Sequence, residues 1–198
     1  MKKVQIKQIY YETVANTIIK NLNRRQMEGF YCSDKTSALS KVLELIPEGA
    51  SVGWGGSVTL EEIGVIDVIQ KCNYKIINKE SPDFFLMSTN AITLEGELIN
   101  IDGKGNRVAF LCYGPQNVLI ITGMNKVVTD IESGIKRSRD IAAPPNAIRL
   151  KRQTPCSITG KCENCYSPDC MCGQFVVTRR SGIPNRIKVI LVGEELGY

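Results

Sequence analysis

SVGWGGSVTLEEIG, residues 51–64, passes from a short apolar run through three glycines into a helical pattern. A strand that turns through glycine directly into a helix is the repeating join of α/β proteins, so this stretch decides the fold class. Gly53, Gly55 and Gly56 let backbone N–H groups approach a ligand, and Ser57 and Thr59 add hydroxyls at the helix start, so an anionic group fits this turn. Thr59 and Glu62 have the spacing of a capping box, which predicts a helix over 59–72 and equally explains the turn without any ligand. The stretch is not a dinucleotide fingerprint, because Val58 stands where the third glycine belongs, and it is not a P-loop, because no lysine follows.

Outward from this stretch the same alternation continues. Tyr11, Val14, Ala15, Ile18 and Leu22 recur at helical spacing and predict an amphipathic helix within residues 1–28. A strand is expected near 30–32, followed by Asp34 as N-cap and a helix carrying Ala38, Leu39, Val42, Leu43 and Ile46, stopped by Pro47 and Gly49. Apolar runs at 74–78, 84–88, 118–122 and 187–192 have strand length. Residues 95–106 read as turn-rich, and a helix is expected to open at Thr129 and close before Pro144 and Pro145. The expectation is one α/β domain over 1–198: a Rossmann-like sheet with helices on both faces, and a cysteine-rich excursion at 155–173 before the final strand. No internal repeat, low-complexity tract or linker interrupts it.

The composition is ordinary for a globular chain, with 43% hydrophobic and 23% charged residues among 198. The absence of histidine excludes more. Without imidazole there is no Ser-His-Asp triad, no Cys-His pair, no two-cysteine, two-histidine finger and no Rieske centre. Catalysis must rest on carboxylates, Lys, Tyr, Cys, backbone dipoles or a cofactor. The net charge of +5 gathers at the two ends of the chain. Neither basic end is interleaved with aromatics or carries a groove-reading motif, so nucleic acid is not the expected partner. No stretch approaches the ~20 apolar residues of a membrane span and no secretory h-region is visible, so a cytoplasmic protein with reduced thiols is expected.

In that setting CSITGKCENCYSPDCMC, residues 156–172, reads as metal ligands rather than bridges. Cys162 and Cys165 form the one CxxC, a spacing that aims two sulfurs at one centre. Gly160 returns the chain from Cys156, and Ser167-Pro168 turns it towards Cys170 and Cys172. With five thiols for four places, Cys156, Cys162, Cys165 and Cys172 are the expected ligands. An iron–sulfur cluster, of 4Fe–4S type, is the favoured cofactor; a four-thiolate zinc knuckle and redox-switching thiols are the alternatives. Lys151, Arg152 and Lys161 would favour the thiolate forms. Cys32, Cys72 and Cys112 stand in apolar surroundings and read as core packing.

A third polar concentration, residues 88–108, places Asn90, Glu95, Glu97, Asn100, Asp102 and Asn106 among glycines after an apolar strand, where open α/β sheets bind ligands. Its alternative is a tight turn at DGKGN between two strands. Asn125 and Lys126, after another strand, are candidates for the same cleft, with Lys126, Glu95 and Glu97 the candidate catalytic groups. A solvated Lys126 is the plainer expectation, as is a wet helix face for Lys136, Arg137 and Arg139. The partners expected are a small anionic substrate, a redox protein and a further copy of the chain.

The segments VGWGGSVTLEEIG, STNAIT, GELINIDGKGNRVA, VLIITGMNKVV, AAPPNAIRL, TPCSITGKC and RIKVILVGEELGY together resemble the lactate-utilisation (LUD) domain family over roughly residues 10–198. The resemblance implies a fold similar to sugar-phosphate isomerases and CoA transferases, with a ligand cleft at the glycine loop. It also implies a role beside iron–sulfur proteins in the oxidation of lactate or a related hydroxy acid. The cysteine segment departs from the family pattern, since single-domain members tied to lactate oxidation do not all carry it, and no catalytic residues transfer. The competing functions are a zinc-braced anion-binding protein and a redox-inactive isomerase or transferase using Glu95 or Glu97 as base.

Overall fold

Adjacent residues on the central strands point to opposite faces, and this alternation divides the core in two. In a computed structural model describing residues 3–77 and 80–198, six strands form a wholly parallel sheet. They are β1 Glu28–Cys32, β2 Ser51–Trp54, β3 Lys75–Ile76, β4 Phe84–Met87, β7 Asn117–Gly123 and β10 Ile187–Val192, in the order β1-β10-β7-β4-β2-β3. One face, with Phe84, Leu86, Leu119, Ile121, Ile190 and Val192, packs against α2 Lys35–Leu45, α3 Val58–Glu62 and α4 Val65–Lys71. The other, with Phe85, Met87, Val118, Ile120, Val189 and Leu191, is covered by α1 Lys3–Arg24 and α5 Asn106–Cys112. Helices therefore cover both faces, as near-continuous apolar strands require.

The expectations met here are the helix within 1–28, the strands at 30–32, 51–54, 84–88, 118–122 and 187–192, and the Asp34 cap. Asp34 accepts from Ser37 N at 2.8 Å, and Ser37 Oγ closes the box. Met1 and Lys2, and Asn78 of the expected 74–78 run, lie outside the described residues.

A second sheet was not foreseen. β5 Ala91–Thr93, β6 Leu98–Asp102, β8 Val127–Val128 and β9 Gln174–Thr178 lie in the order β8-β5-β6-β9. The turn-rich reading of 95–106 is corrected by β6, buried along its length, whose polar Asn100 and Asp102 masked the strand pattern. DGKGN joins β6 to α5, not two strands, with Gly105 in the left-handed region at φ 82°. The excursion ends at residue 173, and β9, which was not expected, follows it before the final strand.

Two helices also differ. The one expected over 59–72 is broken at Gly64, φ 72°, into α3 and α4, and its cap is Ser57 Oγ, which accepts from Leu60 N, so the Thr59–Glu62 capping box does not form. The helix after residue 129 is capped by Asp130 and passes through Pro144 and Pro145: α6 Ile131–Arg137, a π-turn at Ser138–Ala142 and α7 Ala143–Arg149 follow without a stop. The wider π-turn absorbs the bonds the prolines cannot donate. Cys32 is buried as expected, whereas Cys72 and Cys112, at helix ends, are exposed. No helix of the described residues is long and apolar enough to cross a membrane.

Candidate anion cleft and thiol-lined cavity

Parallel strands bring their carboxyl ends to one edge, and there β2, β4 and β7 open onto a cleft of about 540 Å³. Gly55, Gly56, Ser57, Thr59, Asn90, Asp102, Asn106 and Lys126 line it, as expected from sequence. Gly53 does not: it sits inside β2, where an added Cβ would lie 2.5 Å from the Ile77 carbonyl oxygen. Asn125 is a tether, its amide donating to the Leu196 and Gly197 carbonyls and its Oδ1 accepting from Leu196 N. Glu95 and Glu97 lie on the β5–β6 turn away from the cleft. Glu97 pairs with Arg25 at 2.5 Å and accepts from Thr93 Oγ1, while Glu95 is exposed, so neither is placed to act as base there. Asn100 is sealed within β6, its amide without a polar partner.

Lys126 is the chief correction, because it is only 4% exposed. A short 3-10 turn after β7, Met124–Lys126, folds it inward, and its Nζ donates to Thr59 Oγ1 at 2.8 Å and Ser88 Oγ at 3.1 Å. Burial, reinforced by the Arg137 and Arg107 charges and opposed by Glu62, pulls its pKa down to about 7. Arg107, missed in the sequence, is half-buried at the start of α5. It donates to Ser88 O, Asn90 Oδ1 and Ile101 O and lies 3.4 Å from Asp102. Arg137 is buried, not on a wet face: it donates to the main-chain oxygens of Asn90, Asn125 and Tyr198. A cation placed directly before the apolar run VAFLC is the signal for Arg107; nothing local marks Arg137. Lys126 and Arg107 line the cleft, and Arg137 adds its charge to Lys126 from outside the lining; together they hold a positive potential in a poorly solvated region, which attracts an anion and leaves Lys126 able to gain or lose a proton near neutrality.

The cysteines gather a short distance away. Cys156, on α8 Pro155–Thr159, and Cys162, Cys165, Cys170 and Cys172 all line one cavity of about 370 Å³. Gly160, φ 70°, makes the return from Cys156 that its position implied. Arg139 donates from Nε to Cys162 Sγ at 3.4 Å and from its terminal nitrogen to Asn164. This cation comes from the π-turn, whereas the expected Arg152 is paired with Asp169. Burial, followed by the neighbouring Cys170 and Cys162, pushes the Cys172 thiol up to about 12. Thiols that repel one another's ionised forms are a donor set suited to a cationic metal centre. Among the described residues no three Cys, Asp or Glu side chains stand within ligating distance of one point. Met171 lines both the cavity and the cleft, and an added Cβ on Gly173 would lie 2.6 Å from Gly103 O, so the loop rests on the Asp102–Asn106 turn.

The LUD domain sequence profile matches residues 15–192. The chain belongs to the LUD domain family. A DUF162 family protein from Deinococcus radiodurans, solved as a crystal structure at 1.70 Å, superposes with a TM-score of 0.57 at 10% identity, over 92% of this chain and 98% of that one. That likeness extends the LUD fold across almost both molecules. Ribose-5-phosphate isomerases align over smaller parts. The Plasmodium falciparum enzyme has a TM-score of 0.35 and 18% identity over 48% of this chain and 52% of its own. The Methanocaldococcus jannaschii enzyme has a TM-score of 0.35 and 12% identity over 59% and 62%. No curated protein matches the sequence.

Proposed function

We propose that this LUD protein binds a small carboxylate in the Lys126 cleft, carries an iron–sulfur cluster on its cysteine loop, and serves as a redox component in the oxidation of lactate or a related hydroxy acid. Family membership supports the link to lactate utilisation. The observation that carries the reading is the cationic floor of the cleft, buried Lys126 with half-buried Arg107, sharing the Met171 wall with the five-thiol cavity. Lys126 attracts the carboxylate and, with a pKa near 7, can exchange a proton with the acid's hydroxyl. Ser88 and Thr59 hold its Nζ in place, and Gly197 packs beside it, where an added Cβ would lie 3.3 Å from Nζ. Cys156, Cys162, Cys165 and Cys172 would hold the cluster, with Arg139 offsetting its negative charge; when bound it supplies one-electron transfer. The isomerase or transferase alternative loses its proposed base, since Glu95 and Glu97 lie outside the cleft.

The test is anaerobic preparation followed by iron, acid-labile sulfide and visible absorbance. Cys→Ser changes at 156, 162, 165 and 172 are each expected to remove most iron and sulfide, and the change at 170 to leave most of it. Stoichiometric zinc without acid-labile sulfide would overturn the redox role and leave a zinc-braced anion-binding protein.

A further inference from the structure

The cleft is larger and more cationic than a three-carbon acid needs. About 540 Å³ belongs to the size class of pockets that enclose ligands well beyond six heavy atoms. Among the described residues five cationic side chains line it, Lys104, Arg107, Lys126, Arg149 and Arg152, against the single acidic side chain of Asp102. Two of the five are already committed: Arg107 to Asp102 and three further acceptors, and Arg152 to Asp169. The remaining three fall into two tiers. Lys126 is on the floor, where only two neutral hydroxyls accept from it. Lys104 and Arg149 are exposed at the rim; Arg149 reaches no acid, only Asn146 Oδ1. Apolar side chains, among them Trp54, Phe85, Phe110 and Leu150, complete the walls. One monoanion on the floor would leave the rim cations unanswered and most of the volume to water.

We propose that the ligand of this cleft is an organic acid with two anionic groups: a hydroxy acid whose carboxylate meets Lys126 and whose second anionic group, a further carboxylate or a phosphate, meets Lys104 and Arg149. This rests on the reading of the cleft as an anion site and assigns its substrate class. The two tiers make different contributions. The floor cation acts at low dielectric and serves any anion, whereas the rim cations act through solvent and discriminate two anionic groups from one.

Titration calorimetry of the full chain against L-lactate, malate and 3-phosphoglycerate tests it. At least one of malate and 3-phosphoglycerate, each with two anionic groups, is expected to bind about tenfold or more tighter than lactate, and the tighter of the two identifies the second group as carboxylate or phosphate. In the Lys104→Gln/Arg149→Gln variant that tighter ligand weakens about tenfold while lactate changes less than twofold, and added salt shrinks the difference. Lys126→Met weakens all three. Lactate binding as tightly as both of the others, or a rim variant that weakens lactate and the tighter ligand alike, overturns the assignment of a second anionic group and leaves the anion cleft standing. Failure of all three to bind overturns the anion cleft and the assignment with it.

Discussion

Lys126 places a titratable group where its charge is costly. Its pKa falls from an ordinary 10.5 to about 7, with burial the first cause. A tenfold change in proton affinity is worth about 1.4 kcal/mol, so charging this lysine opposes folding by several such steps. The sign follows from proton counting: between pH 7 and 10.5 the unfolded chain holds a proton that the folded one has released, so this contribution to stability improves as pH rises. Below pH 7 the lysine is protonated in both states and the full penalty remains. Lys126→Met is therefore expected to melt higher than wild type at pH 6, with the gap closing towards pH 10. An anion bound beside Nζ favours the ammonium, so carboxylate affinity should be highest below pH 7 and fall up to tenfold per pH unit above it. Calorimetric affinities that stay flat from pH 6 to 9 would show that the carboxylate does not sit beside Lys126.

The β2–α3 turn separates glycines that serve the fold from those that serve the cleft. At Gly53 a Cβ would press within 2.5 Å of the Ile77 carbonyl, whereas at Gly56 nothing lies within 4 Å. Gly53→Ala is expected to cost about 1–3 kcal/mol in denaturant melts, as overpacking does. Gly56→Val is expected to leave the midpoint nearly unchanged and to weaken anion binding by blocking close approach to the backbone of the cleft wall. Equal loss of stability and binding at Gly56 would mean that the turn serves only the chain reversal. The elements that sequence reading missed share one physical cause. β6 carries Asn100 and Asp102 on an otherwise apolar strand, because one end of that strand is cleft wall. α5 follows directly on a glycine turn, and its last carbonyls are closed by Arg186, more than 70 residues away.

In the molecule as a whole, β10 lies between β1 and β7, paired in parallel along both edges and buried at five of its six positions. Removing residues from 187 onward would expose both neighbours and the apolar faces of α1 and α2. The truncated chain is expected to be insoluble. A soluble truncation with one cooperative thermal transition would show that β10 is dispensable to the core. The same placement explains why the cysteine loop belongs to this domain: the chain leaving it pairs first with β6 as β9 and then completes the main sheet as β10.

Local periodicity by itself determined the parallel α/β plan, the first helix, the Asp34 cap and the central strands, because each is set by side-chain spacing and short-range hydrogen bonds. It also marked the glycine turn, Asp102, Asn106 and the cysteine run, since residue type and spacing carry that chemistry. Tertiary structure alone decided which charges are buried. Lys126, Arg107 and Arg137 look like surface cations in the sequence; they are drawn inward because three separate parts of the chain, at Thr59, at Ser88 and Asn90, and at Asn125, accept their hydrogen bonds. Burial depends on contacts distant in sequence, and so does the choice of which polar residue meets the ligand and which merely holds the wall.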